Sequence, residues 1–168
     1  PRSDKNSYYT FMHENLFSHI NIKEENVHLP DGNAADMPAE CEKYDRLLAE
    51  AGGVDIQLLG IGTNGHIGFN EPGETFTKGT YKVKLTDSTI HSNSIYFEEG
   101  KMPRYAVTMG VGTIMTAKKI VLIATGESKA DAMHAMIRGE VTPHCPASIL
   151  QTHPDAVIFM DRAAASKL

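Results

Sequence analysis

Apolar residues recur at helical spacing twice before any strand-like run appears. Tyr9, Met12, Leu16 and Ile20, with His13 and Phe17 beside them, predict an amphipathic helix over roughly 7–19. A loop rich in turn residues, ending in Pro30-Asp31-Gly32-Asn33, follows. Met37, Cys41, Tyr44, Leu48 and Ala51 then share one face and predict a second helix over 37–51, capped by Asp36 and ended by Gly52-Gly53. The period changes at 54–60, where Val-Asp-Ile-Gln-Leu-Leu-Gly reads as a short buried strand running into a glycine-rich loop. Further on the pattern predicts a strand at 105–109, a short helix at 112–117 and a strand at 119–124. A helix at 128–138, a short helical piece at 147–151 and a last strand at 156–160 complete the series. Strands alternating with helices predict an α/β fold with parallel pairing through helical crossovers. No repeat, low-complexity tract or linker divides the chain, so residues 1–168 read as one domain.

Composition narrows the function classes. A net charge of −5, with no basic run of five or more, creates no field for a phosphate backbone, so nucleic acid is not expected as a partner. The longest apolar run, 120–124, is far short of the roughly 20 residues that cross a bilayer, and the polar start Pro1-Arg2-Ser3-Asp4-Lys5 does not resemble a signal peptide. A cytoplasmic location without membrane attachment is expected. Cys41 and Cys145 lack CxxC spacing and read as ordinary buried thiols. The eight histidines are scattered without HExxH or a Cys/His cluster, so no metal is expected; His19 and His28 read as surface residues. Lys118-Lys119 and Glu98-Glu99 read as a solvated face.

Candidate chemistry concentrates in the loop after the first strand. Asn64, His66, Asn70 and Glu71 fall within eight residues, on a backbone that glycines let fold back on itself. The spacing is neither the dinucleotide fingerprint nor a Walker loop. A histidine with a carboxylate in reach suits general acid–base work, because the partner sets the imidazole tautomer and tunes its pKa. A histidine merely held by backbone groups in a tight turn is the plainer alternative. A second candidate is Thr125-Gly126-Glu127-Ser128-Lys129, where free N–H groups at a helix start and a lysine would suit a phosphate oxyanion; a capped, solvated helix end fits the same residues. His144-Cys145-Pro146 and His153-Pro154 flank the 147–151 piece and could line the same crevice, or be loops fixed by proline.

The run Leu59-Gly60-Ile61-Gly62-Thr63-Asn64-Gly65-His66-Ile67-Gly68-Phe69-Asn70-Glu71-Pro72-Gly73 resembles the signature of the glucosamine-6-phosphate deaminase/isomerase family. Asn6-Ser7-Tyr8-Tyr9, the 106–114 run Ala-Val-Thr-Met-Gly-Val-Gly-Thr-Ile, Gly126-Glu127-Ser128-Lys129-Ala130 and Pro146-Ala147-Ser148 extend the resemblance along nearly the whole chain. It implies a three-layer αβα fold with a mostly parallel, Rossmann-like sheet. It also implies conversion of an amino-sugar 6-phosphate and water to the ketose phosphate and ammonia, without metal or other cofactor, by a homo-oligomer as is common in the family. By motif position His66 would be the acid–base that opens the sugar ring, Glu71 would orient and tune it, and Asn64 stands where many members have Asp. Lys129 would bind the substrate phosphate, and Gly62 and Gly65 would contribute to substrate or phosphate binding.

Departures from the family pattern shape two further expectations. The family's phosphate-loop strand and its Asp-Glu-Tyr segment, which supplies the base for the C2 proton, would lie upstream of Pro1. The chain is therefore expected to be a part, incomplete at its N-terminus, and inactive in deamination by itself. Ile95 follows Asn93-Ser94 where a phosphate-binding arginine is expected, and an aliphatic side chain cannot supply a guanidinium contact. Galactosamine 6-phosphate thereby competes with glucosamine 6-phosphate as substrate. A 6-phosphogluconolactonase and a non-catalytic sugar-phosphate-sensing domain are the alternatives to a deaminase.

Overall fold

The computed structural model of the protein describes residues 1–97 and 102–168, so Glu98-Glu99 lies outside the described residues. Strands β1 (Ile56–Leu59), β4 (Lys119–Ala124) and β5 (Ala156–Met160) form a parallel sheet in the order β1-β4-β5. Between them run β2 (Tyr81–Lys84), α3 (Asp87–Asn93), β3 (Tyr105–Thr108) and α4 (Val111–Met115); α5 (Ala130–Arg138) crosses from β4 towards β5. Helices α1 (Tyr8–Asn15) and α2 (Met37–Glu50) precede the sheet. Parallel pairing and helical crossovers make this the expected three-layer α/β architecture.

Alternation along the strands decides which face is filled. Leu59, Ile120, Leu122 and Ala124 point into one buried cluster with Ile114 of α4 and Ala132, Met133 and Met136 of α5. Ile120, Leu122 and Met133 are fully buried, each contributing about 1.5–3 kcal/mol by leaving water. The opposite face carries Ile56 and Leu58 of β1, Val121 and Ile123 of β4, and Val157 and Phe159 of β5, brought side by side by the pairs Leu58↔Val121, Val121↔Val157 and Ile123↔Phe159. That face is largely open: Ile56 and Leu58 are each 63% exposed, Phe159 56% and Ile123 48%.

Helix limits follow the expected capping chemistry. Asp36 accepts the Ala39 N–H at the start of α2, and Gly52-Gly53 lies just beyond its end. Helix α1 is shorter than expected, stopping at Asn15 before a 3₁₀ turn at Phe17–His19. It buries no residue, so little tertiary packing supports further turns. The 147–151 piece is a 3₁₀ helix, Pro146–Thr152.

One strand assignment needs correction. The 105–109 strand, expected in the parallel series, instead pairs antiparallel with β2 in a separate two-stranded sheet, Tyr81 opposite Thr108 and Lys84 opposite Tyr105. Its partner β2 was not anticipated, although Tyr81, Val83 and Leu85 alternate with exposed Lys82 and Lys84. The two histidine-proline corners also part company. His153 is buried, its Nε2 donating to Ala117 O at 2.9 Å and its Nδ1 accepting from the Asp155 N–H at 3.1 Å, beside the N-terminal ends of β4 and β5. His144 is exposed on the loop that lies behind the 60–73 segment, at the other end of the sheet. Cys41 and Cys145 are free and buried, and His19 and His28 are exposed. Lys118 is exposed and paired with Asp55 at 2.6 Å.

Candidate active site

The loop from Gly60 to Gly73 leaves β1 at its carboxyl end, where open parallel sheets place their ligands. Its apolar members anchor it. Ile61 and Ile67 sit in the core cluster, Ile67 with no exposure at all, and the segment between them is forced into a tight arch. Gly62 N–H donates to His66 O at 2.9 Å and Gly65 N–H to Gly62 O at 3.0 Å, closing the arch. Gly65 has φ +85°, and a β-carbon there would press on Cys145 Sγ. At Gly62 a β-carbon would overlap the His66 ring. Both glycines, expected to contact substrate or phosphate, therefore spend their N–H groups inside the loop and serve to make room for neighbours.

Asn70 turns inward. It is 2% exposed, donates through Nδ2 to Ile67 O and Met109 O, both at 2.9 Å, and accepts from Thr77 Oγ1 at 2.6 Å. Thr77 Oγ1 in turn accepts the Val111 N–H at the start of α4, and Phe69 N–H donates to Thr108 Oγ1. Pro143 O accepts from Gly73 N–H, and Gly65 O accepts from Ala147 N–H, so the 142–148 loop backs the arch. Thr108 and the 146–148 residues stand in runs that carry the family resemblance, whereas Thr77 carries no motif, and the bracing contacts of all three lie outside what spacing predicts.

Held this way, three side chains form a relay. Asn64 Nδ2 donates to Glu71 Oε2 at 2.9 Å, while Asn64 Oδ1 lies 2.7 Å from His66 Nδ1. A carboxylate only accepts, so the amide must present its NH₂ to Glu71 and its oxygen to the imidazole. That orientation requires the proton of neutral His66 on Nδ1 and leaves Nε2 as the acceptor. Glu71 Oε2 is 3.6 Å from His66 Nδ1, close enough to act through its charge. The far oxygen, Oε1, accepts the Thr86 N–H at 3.3 Å, and Thr89 adds a side-chain hydrogen bond. Both threonines belong to the start of α3, where Thr86 Oγ1 also accepts the Thr89 N–H. The Thr-x-x-Thr capping pattern was a signal that could have found them.

The electrostatics suit acid–base work. Burial lowers the pKa of His66, opposed by the Glu71 charge and assisted by the Lys129 charge, and the net direction is down. Burial alone would raise Glu71, but hydrogen bonds from Thr89 and Asn64, the His66 charge and the Thr86 N–H hold it below the usual carboxylate range. The resting pair at neutral pH is thus a neutral imidazole and a carboxylate.

Lys129 ends the 3₁₀ turn Glu127–Lys129 that follows β4. Its ammonium is half-buried and, among the described residues, makes no hydrogen bond or ion pair; burial pushes its pKa down. The Gly126 N–H, expected to be free for an anion, is instead taken by the Asp161 carboxylate, 3.0 and 3.1 Å from its two oxygens. Ile95 is 78% exposed in the turn Ser94–Tyr96, and its aliphatic side chain carries no charge for a phosphate. Among the described residues no group of three or more His, Cys, Asp or Glu is placed to hold a metal, and no helix is long and apolar enough to cross a membrane.

A parallel α/β sheet with a carboxylate-tuned histidine at a strand's carboxyl end, and a lysine without a partner among the described residues in electrostatic reach of it, is an arrangement chemically suited to acid–base work on an anionic small molecule. Comparison with known proteins makes the class specific. Residues 1–159 match the family model described as glucosamine-6-phosphate isomerases/6-phosphogluconolactonase, and the chain belongs to this family. It is 52% identical over 169 aligned positions to glucosamine-6-phosphate deaminase of Clostridioides difficile (strain 630), covering all of this chain and 68% of that protein. It is 53% identical to the enzyme of that name from Clostridium botulinum (strain Alaska E43 / Type E3), with the same coverage. Among solved structures, a monomeric glucosamine-6-phosphate deaminase superposes with a TM-score of 0.96 at 44% identity, over 99% of this chain and 69% of that one. The 6-phosphogluconolactonase from Trypanosoma cruzi, at 20% identity and a TM-score of 0.76, shares the fold.

Proposed function

We propose that this chain is an α/β domain, residues 1–168, of an amino-sugar 6-phosphate deaminase/isomerase acting in the cytoplasm. The enzyme takes glucosamine 6-phosphate, or galactosamine 6-phosphate, and water to the ketose 6-phosphate and ammonia. The observation that carries the reading is the relay in which Asn64 bridges Glu71 and His66 and leaves Nε2 as proton acceptor. Ring opening needs that atom: Nε2 takes the proton of the anomeric hydroxyl as the C1–O5 bond breaks, and the same nitrogen returns it to O5. The Glu71 charge stabilises the transient imidazolium, transmitted through Asn64 and directly across 3.6 Å. Asn64 cannot itself take the proton, so the relay holds one carboxylate and one titrating histidine.

Lys129 supplies the cation for the 6-phosphate, and its depressed pKa reflects a half-buried ammonium awaiting an anion. With Ile95 pointing no charge at the substrate, this lysine carries more of the phosphate binding than where an arginine assists. The later removal of the C2 proton is assigned to no residue of this chain. Assembly as a homo-oligomer accompanies this reading.

The experiment is ammonia release from glucosamine 6-phosphate and galactosamine 6-phosphate in parallel, using the full-length gene product. Release from either supports the deaminase, and the ratio identifies the sugar. Release from neither would overturn it and leave a sugar-phosphate-sensing domain or a lactonase.

A further inference from the structure

We infer that Asp161 is a positioning residue for the anion site at Lys129, an inference that rests on the phosphate role proposed for that lysine. Asp161 directly follows β5, and its N–H donates to Ala124 O, the last residue of β4, at 3.3 Å. The carboxylate then reaches across 35 positions of sequence and receives the Gly126 N–H with both oxygens. It also accepts the Ala164 N–H at 2.7 Å, and Ala164 is fully buried. One carboxylate thus staples the turn after β4 to the segment after β5.

The staple bears directly on Lys129. Gly126 O accepts the Lys129 N–H at 3.1 Å, so the residue whose N–H is held by Asp161 also holds the lysine backbone. Lys129 and Asp161 do not pair: the carboxylate is occupied by backbone donors, and the ammonium has no partner among the described residues. An acidic side chain beside a phosphate site would repel the ligand if it faced it. Committed to N–H groups, it instead fixes the turn that carries the cation while leaving that cation unpaired. A carboxylate serving only the Ala163–Ala164 turn would have no need of Gly126, and a free Gly126 N–H would be available to the anion as an ordinary phosphate-loop donor.

The test uses Asp161→Ala, Asp161→Asn and Lys129→Ala in the full-length gene product. KM, kcat, competitive inhibition by inorganic phosphate and calorimetric binding of inorganic phosphate are measured for each. Asp161→Ala is expected to raise KM and weaken phosphate binding by about 10-fold with kcat changed less than about twofold, since a displaced contact loses alignment and not chemistry. Asp161→Asn keeps one acceptor oxygen and should recover part of the loss. Added to Lys129→Ala, the Asp161→Ala change should have little further effect, because both act on one contact.

The inference is overturned if Lys129→Ala weakens phosphate binding while both Asp161 variants bind phosphate as wild type. Additive effects in the double variant would also overturn it, showing that Asp161 acts elsewhere. If Asp161→Ala does not fold, the Asp161→Asn comparison alone decides, since retained wild-type phosphate binding there contradicts the staple. Unchanged phosphate binding in Lys129→Ala would instead reject the phosphate role of the lysine, and absent ammonia release with intact phosphate binding would reject only the reaction.

Discussion

Replacing Gly62 by alanine separates the imidazole's placement from the stability of the fold. A β-carbon at this position would overlap His66 Cε1 and Nδ1 and lie 2.6 Å from Nε2. Gly62 is not among the glycines with positive φ, so its backbone accepts alanine and the conflict falls on the ring. Alanine restricts the unfolded chain, which favours folding by about 0.4–1 kcal/mol. Overpacking costs about 1–3 kcal/mol, and the lost His66–Asn64 hydrogen bond a further 0.5–1.5 kcal/mol or so. The net expectation is a destabilisation of about 0.5–4 kcal/mol, or a fall in Tm of roughly 1–16 °C for a domain of this size. Turnover should suffer more, since a general acid–base group moved off its mark costs about 10²–10⁴-fold. The assay pairs ammonia release with a thermal melt followed by circular dichroism. Gly60→Ala is the comparison: its β-carbon would meet only Ile123 O at 3.9 Å, and both readouts should stay near wild type. A Gly62→Ala enzyme with wild-type kcat would refute the placement of the ring against this glycine.

Three further outcomes follow from the same geometry. His66→Gln, which keeps polarity but not proton transfer, should lower kcat by about 10²-fold or more; undiminished turnover would remove His66 from the chemistry. Glu71→Gln removes the charge that raises the His66 pKa against burial and Lys129, so the imidazole should protonate only at lower pH. The acid limb of kcat/KM then moves to lower pH, and an unmoved limb would mean that the pair is structural. The open sheet face should bind a hydrophobic dye when this chain is expressed by itself, because contiguous apolar surface attracts one. Leu58→Lys with Phe159→Glu should reduce the dye signal while changing stability by no more than about 0.5 kcal/mol per site, and unfolding of that variant would show the face to be packed.

Much of the site is legible in the order of residues along the chain. Glycine density after a buried strand, with Asn64, His66 and Glu71 close to two isoleucines, marks a loop whose apolar residues enter the core and whose polar residues cannot. The relay itself depends on distances that no spacing encodes. Asn64 bridges the other two because Gly62 and Gly65 close the arch with their own N–H groups, an internal use that spacing does not show. Asn70 looks like part of the same polar constellation and is instead a buried brace, since Met109 O arrives from a segment 39 positions away and Thr77 Oγ1 folds back from beyond the loop.

By itself the sequence determined the local elements, the α/β class and the family: 3.6-residue and two-residue periods, caps and glycine stops are properties of neighbouring residues. Strands β4 and β5 fall on the residues that the pattern marks, because alternate residues of β4 enter the buried cluster and the apolar run favours extended backbone. Tertiary structure alone decided the partners. It paired β3 with β2 and kept it out of the parallel sheet, placed Thr86 and Thr89 on the Glu71 carboxylate, and gave the Gly126 N–H to Asp161. Each of these is a contact between residues 15 or more positions apart, where the chain between them can close in many ways and only the packed whole selects one.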